Sequence, residues 1–598
     1  MPAYAQIITH TPEQARQWHE IARSNPGRVA RTLVLRPGQS TREGDNQGDI
    51  YPAVEAVKAI SAIRGADNPA WVNLVNGGIA DALCKNVSEM VIFIQTLPNM
   101  PQELKDQVTK EMRSPYYAPL EILCNAVRNF QDSPTKTDKK VIAALRKNWS
   151  EMMDRIWNEP ENTLRPEDSH TLERVVVAQI VVRLLMIDPS FAEFNTSILY
   201  EPSDLTVQII ARHWKYSLKD PDIRTTASVL FLLFEPSQMH PRQEAYFRSN
   251  RLETKLPQIV SKILVGVSPT ARSSKQQQAK ALFATFAENL LRSTGRTSAD
   301  QLDFLMVILD VAKKDAKRGN AELEATKVLL KATPLWNALF RLLKKSAKPG
   351  FLNDSDPEKE KEHRLRFMCG VVGLAANVLH GASFAYPSDC EALVRIWANE
   401  NFFGAIEETI EIFIETPAMT MQLSRLAGLI ERFVVAEGSP EIQKLYRSQF
   451  PRWRTLGTLI RHDVKKQQIN GRPSWPLPNQ VAPRDSTFWD HAAWQCFGSL
   501  QLQCMDKTLC GKRGCENVGS IACTCKVVTY CSEDCKTKDA KDHQLACGLL
   551  GLLEDTVGKK LSNSAAKSGG QTENSQASTT EDGPATAGGA APEFNELD

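Results

Sequence analysis

The sequence predicts an all-α protein, an α-solenoid or an irregular helical bundle, that carries a small metal-bound module near its C-terminal end. Three observations predict this. Apolar residues recur at three and four positions through most of the chain, the period of a helix that buries one face. No alternating strand pattern with hairpin turns competes over a comparable length. Cysteines, 13 in 598 residues, crowd into the interval from Cys510 to Cys547.

Taken in order, residues 1–35 read as an N-terminal helical segment, followed by a polar, Gly-containing loop from Arg36 to Asp49. The body, 50–465, has helical periodicity in Leu172–Ile187, Thr226–Phe234, Lys280–Leu291, Gln301–Val311, Glu324–Leu343, Arg366–His380, Glu391–Trp397, Ile406–Ile414 and Leu423–Val435. Pro and Gly separate these stretches at Asp188-Pro189, Glu235-Pro236, Ser268-Pro269, Thr333-Pro334, Lys348-Pro349-Gly350, Thr416-Pro417 and Gly438-Ser439-Pro440. The run Val175 to Val182 is apolar on more than one face, as expected of an inner helix in stacked layers. The proline-rich stretch 466–486 reads as a semi-extended linker. A connecting helix, 487–505, offers Phe488, Trp489, Trp494 and Phe497 to dock the module on the body. The tail, 556–598, is dominated by Ser, Gly, Thr, Ala and Asn, too poor in large apolar residues to order itself.

Many helices of about ten to twenty residues joined by short polar turns suggest a solenoid in which each helix buries its face on the next. The phrase Trp71-Val72-Asn73-Leu74-Val75-Asn76-Gly77-Gly78-Ile79-Ala80-Asp81-Ala82-Leu83 resembles an armadillo repeat, with Asn399 to Ile406 a looser echo. No strict period accompanies them, so "armadillo-like" is the expectation and an irregular bundle the alternative.

The Cys-rich stretch holds Cys510, Cys515, Cys523, Cys525, Cys531, Cys535, His543 and Cys547. Close Cys pairs with a trailing His favour zinc over disulfides where thiols stay reduced. The N-terminus has no charged and apolar leader, so an intracellular, cytoplasmic or nuclear, setting is expected. Eight donors suffice for two closed tetrahedral zinc sites, which are structural because no position is left for water or substrate. A segment this short buries too little apolar surface to fold alone, so metal binding and folding should be one event.

Tyr530-Cys531-Ser532-Glu533-Asp534-Cys535, followed by seven residues and His543-Gln544-Leu545-Ala546-Cys547, resembles a MYND-type zinc finger over 510–547. The resemblance implies interleaved ligation, with Cys510, Cys515, Cys531 and Cys535 on one zinc and Cys523, Cys525, His543 and Cys547 on the other. The family usually spaces its first two pairs as Cys-x-x-Cys, whereas here four residues separate the first pair and one the second. That makes Cys523 the least secure ligand, with Cys504 able to substitute, though Cys504 reads better as a small buried hydrophobe. Lys536 and Ala540 stand where relatives that grip proline-containing peptides carry Gln and Trp. The resemblance therefore implies a zinc scaffold more firmly than a peptide groove.

Other functions are excluded in turn. The Cys-x-His-x-x-Cys centre of a RING finger is absent. Lysines of the finger are nearly matched by carboxylates, and a net charge of +2 gives no pull toward nucleic acid or anionic membrane. The apolar run Val175 to Ile187 is too short to span a bilayer. No HExxH, GxxxxGK[ST] or GxSxG occurs, and the nine His outside the finger are scattered. The SET methyltransferases that carry such fingers have a cofactor motif this chain lacks. The expectation is a zinc-binding interaction or scaffold protein with protein partners, not an enzyme; the alternatives are a purely structural finger on a helical body of unknown activity, or an enzyme with an unrecognised site.

Overall fold

Helices open with proline as their first residue at Pro12, Pro26, Pro69, Pro357, Pro387, Pro417 and Pro440, where the missing N–H costs nothing. Side chains of Thr11, Asn25, Asn68, Asp356 and Ser439 accept from orphan N–H groups at five of these starts. Among the described residues, the punctuating prolines Pro334, Pro417 and Pro440 are thus helix starts. The computed structural model describes residues 11–36, 38–63, 68–89, 116–128, 130, 134–159, 171–186, 194, 198–235, 241–268, 270, 272–317, 324–352, 356–469, 486–544 and 546–550. These residues are all-α apart from one short hairpin. The tail at 556–598 lies outside them.

Helices follow one another in rows. Pro12–Ser24 packs on Ile50–Ser61, then in succession come Tyr117–Arg128, Thr171–Met186, Asp220–Leu232, Gly295–Lys317 and Pro357–Ala385, each on the one before. Pro26–Leu33, Ile79–Glu89, Lys136–Asn158, Thr206–Lys215 and Leu256–Val267 form a second row. From residue 324 the order becomes regular. Glu324–Leu330, Thr333–Ser346 and Pro357–Ala385 make one triplet; Pro387–Asn399, Phe402–Phe413 and Pro417–Glu431 the next; Pro440–Arg447, Trp453–Ile469 and Ser486–Cys504 the last. Each member packs on its counterpart in the following triplet. The seams are aromatic: Trp336 meets Trp397 at 5.2 Å and Phe340 meets Phe402 at 5.0 Å between ring centroids. Phe403, Phe450 and Phe497 continue the seam into the last triplet.

The two phrases that resemble an armadillo repeat occupy equivalent sharp turns. Gly78 takes a positive φ of 89° between Pro69–Asn76 and Ile79–Glu89, and a Cβ on Gly77 would lie 2.8 Å from Pro26 Cβ. Asn401, φ 59°, makes the corresponding corner between Pro387–Asn399 and Phe402–Phe413.

Several expectations change. Glu324–Leu343 is two helices, because the chain turns at Ala332 before Pro334. The helix starting at Trp453 continues to Ile469, into the stretch read as linker; 470–485 lie outside the described residues. Trp494 and Phe497 are buried in the body: Trp494 Nε1 donates to Asp463 at 2.9 Å, and Phe497 packs on Phe403 and Phe450. The side chains of Phe488 and Trp489 are outside the described set. By length and composition alone Pro357–Ala385, a helix of 29 residues, could cross a membrane, which the shorter run at 175–187 could not. Its Phe367, Met368, Val371, Val372 and Leu379 are buried where it packs between Gly295–Lys317 and Pro417–Glu431.

Candidate metal centre

The finger is built on a hairpin and one helix. Strands β1 (Ile521–Ala522) and β2 (Thr529–Tyr530) pair antiparallel, with Ile521 opposite Tyr530. The preceding loop lies against this hairpin: Gly511 N donates to Thr529 O at 2.8 Å and Ser520 N to Tyr530 O at 2.9 Å. Only glycine fits at Gly511, where a Cβ would come within 2.1 Å of Val528 Cγ1. Residues 533–544 and 546–550 are helical. Ser532 Oγ accepts from Cys535 N at 3.2 Å, which caps this helix as it leaves Cys531.

These elements bring the eight sequence-predicted ligands into two groups. Cys510 and Cys515 come from the loop, Cys531 from the end of β2, and Cys535 from the first helical turn. In the second group Cys523 and Cys525 flank the hairpin turn, while His543 and Cys547 lie four residues apart on the helix, the spacing that puts both on one face. Within each group all donor atoms lie within 4.8 Å of one another. Cys515 Sγ is 3.5 Å from Cys531 Sγ, which is 3.6 Å from Cys535 Sγ. His543 Nε2 is 3.2 Å from Cys523 Sγ and 3.6 Å from Cys525 Sγ, and Cys523 Sγ is 3.6 Å from Cys547 Sγ. A zinc–sulfur bond of about 2.3 Å implies a tetrahedral edge of about 3.8 Å, so these separations fit zinc and not a disulfide. All 13 cysteines are unbridged.

The single residue between Cys523 and Cys525 is accommodated by a tight knuckle. Lys526 adopts a positive φ of 62°, its N–H donates to Cys523 O at 3.0 Å, and Cys523 N returns to Val528 O at 2.8 Å. The turn aims both sulfurs at His543. Cys523 is therefore in the second group, and Cys504 is in neither. Cys504 is buried at the end of Ser486–Cys504, where burial pushes its thiol up to about 12.

Protonation states also fit a cation. Burial holds the imidazole of His543 down at about 4, so the ring is neutral and Nε2 keeps its lone pair. Burial pushes Cys510 up to about 12 and Cys525 up to about 11, while the hydrogen bond with Cys515 holds Cys531 down at about 7. A divalent ion would offset the cost of ionising the two raised thiols. The residues fit two zinc ions, each with four protein donors, which would hold the hairpin, loop and helix together.

The finger sits on the body through residues that spacing alone does not mark. Trp453, buried at the start of its helix, donates from Nε1 to Gly511 O at 3.3 Å and packs edge-on to His543 at 4.6 Å. Arg513 Nη1 reaches Glu407 Oε2 at 2.7 Å, the same oxygen that receives Arg452 Nη1 at 2.8 Å. Tyr530 donates to Asp539 at 2.7 Å, and burial raises that carboxyl to about 6. Cys510, Val528, Tyr530, Ala546 and Leu550 join the apolar core of the body without a gap. Lys536 and Ala540 remain on the solvent side of the helix, Lys536 paired with Glu533 at 3.3 Å.

Residues 508–547 match the family model of the MYND finger. No curated protein and no solved structure matches the chain.

Proposed function

We propose that this chain, a MYND finger carried on a helical body, is a protein-interaction scaffold in which zinc is structural and no reaction is catalysed. The observation that carries the reading is the closure of both metal sites. Four protein donors converge in each group, so a tetrahedral ion would keep no position for water or substrate. What remains for the finger to offer is surface. One face is fixed on Trp453 and Glu407, and the helix face with Lys536 and Ala540 is left to solvent.

In this reading the body is an armadillo-like solenoid. Support comes from the triplets after residue 324, in each of which the third helix is the longest, stacked like on like. Stacking of this kind gives extended surfaces suited to protein partners. The test is affinity capture with the intact chain against Cys531→Ser, with circular dichroism checking that the body stays helical. Partners lost with the finger support the scaffold reading.

A second reading, a finger that only closes the end of the body, is favoured by the continuous core between them. It expects the same partners to be captured when Lys536 and Ala540 are both replaced by Glu and zinc content is unchanged.

A further inference from the structure

The loop between Cys510 and Cys515 is two residues longer than the usual Cys-x-x-Cys, and its extra length carries Arg513 out to the body. Gly514, φ 78°, turns the chain back toward Cys515. Beside Arg513 opens a cleft of about 460 Å³ between finger and body, lined by Lys344, Asn401, Glu407, Ser448, Gln449 and Arg452 among others. Its charges do not balance. Glu407 alone receives both guanidiniums, and Glu408 is engaged with Lys344 at 3.4 Å. Three cations thus face two carboxylates. Arg452 is held in place, only 7% exposed, by Gln449 O at 2.8 Å as well as by Glu407. Arg513 and Lys344 are half-exposed, so each can exchange its carboxylate partner for a ligand on the open side of the cleft. Ser448, Asn401 and Gln449 add neutral hydrogen-bonding groups at the rim.

We propose that this junction cleft binds an acidic side chain of a partner peptide, its carboxylate entering between Arg513 of the finger and Arg452 and Lys344 of the body. Guanidinium and carboxylate match as bidentate partners, and a partly enclosed cleft strengthens the attraction relative to open surface. The site is composite: Arg513 is aimed only while Cys510 and Cys515 share a metal, so the affinity depends on zinc. The proposal rests on the reading of the chain as a protein-binding scaffold and names where an acidic partner would touch it.

The experiment uses the full zinc-loaded chain and a fluorescent Glu/Asp-rich peptide, followed by anisotropy at low salt, with a Gln/Asn version as control. Saturable binding of the acidic peptide alone is expected. Arg513→Ala and Lys344→Ala should each weaken it by about tenfold, the scale of one charge-assisted hydrogen bond. Lys344 lies outside the finger, so its variant tests the site with zinc content untouched. Glu407→Gln should tighten binding, because it removes the carboxylate that competes for both arginines; if the three residues were only a clamp, that change would weaken it or do nothing. Equal binding of the two peptides, indifference to Lys344→Ala, or displacement by inorganic phosphate at peptide-like concentrations would overturn the proposal. Partner capture by the intact chain that persists alongside such a failure would leave the scaffold reading standing.

Discussion

Trp336 in the body and His543 in the finger are both buried, and for opposite reasons. Trp336 is fully enclosed among Trp397, Phe340 and Leu329, whose carbonyl accepts its indole N–H at 3.0 Å; it is inside because the surrounding apolar surface leaves water. His543 is 3% exposed with Nε2 turned to two sulfurs and Nδ1 without a hydrogen-bond partner. It is inside because it has a metal to bind. The body spreads its stability over many seams, whereas the finger concentrates it at two points. The difference teaches where each region should fail.

The sharpest break in the comparison is loss of a ligand. Cys531→Ser or Cys547→Ser should remove one of two zincs and unfold the finger, since apparent zinc binding in such modules is worth about 10–16 kcal/mol. Cys523→Ser should be as severe, because Cys523 lies 3.2 Å from His543 Nε2 and Cys504 belongs to the body. Metal analysis would read the stoichiometry, and hydrogen exchange would show protection lost in 508–550 and kept in the body. Fewer than two zincs in the unaltered folded chain would refute the two-site arrangement.

The converse break is in the seam. Trp336→Ala should lower the stability of the body by about 3–5 kcal/mol, the range for a large aromatic leaving a cavity. Zinc content should not change, because Trp336 touches no finger residue in the contacts described. Urea denaturation followed by far-ultraviolet dichroism measures the first, and metal analysis the second. Zinc lost in step with the helices would mean that the regions are one cooperative unit joined through Trp453.

How much of this was readable beforehand depends on the range of the interaction. The eight ligands were legible because spacing and residue type act locally, and their division into two groups followed from the resemblance. Many helix positions were legible for the same reason, but Ala332 and Pro334 divided an unbroken apolar pattern and the helix from Trp453 ran on into the stretch read as linker. The long loop between Cys510 and Cys515 looked like a departure from the family. Its partner, Glu407, is 106 residues away, and no local pattern connects them. Trp494 and Phe497, expected to dock the finger on the body, are instead buried within the body, since periodicity says that a face is covered and not by what. Trp453, which does meet the finger, follows two residues after Pro451 with no amphipathic signal of its own.

Acid should separate the regions less sharply. His213, buried beside Arg212 and Arg174, is held by burial at about 3, well below its ordinary 6.5. A depressed imidazole is neutral in the fold while the unfolded chain protonates, so its contribution is present above about 6.5 and is lost as pH falls toward 3. His543, lowered to about 4, titrates with the same sign, and protonation of its zinc-binding nitrogen and of the thiolates also releases metal. Both regions therefore weaken on acidification. His213→Gln should flatten the body's dependence between pH 6.5 and 4 while leaving acid release of zinc in place. Thermal melts paired with a zinc-sensitive dye would distinguish the two.

The smallest effect concerns surface alone. Lys536 and Ala540 face solvent on the finger helix, where the resemblance places the Gln and Trp of peptide-gripping fingers. An alanine there provides no aromatic wall, and an ammonium paired with Glu533 adds charge where an apolar proline would pack. Aromatic anchors supply a few kcal/mol at the centre of a binding site, so the unaltered finger should hold proline-containing peptides weakly. The double change Lys536→Gln, Ala540→Trp should strengthen binding by about tenfold and leave zinc content as it was. Ala540 is exposed and Lys536 half-buried on the solvent side, and neither belongs to the core shared with the body, so any gain is a property of the surface. Tight binding by the unaltered chain in an anisotropy titration would mean that its groove is formed by other residues. The comparison would then sharpen in a different direction, with the finger contributing its position on the body and not its helix face.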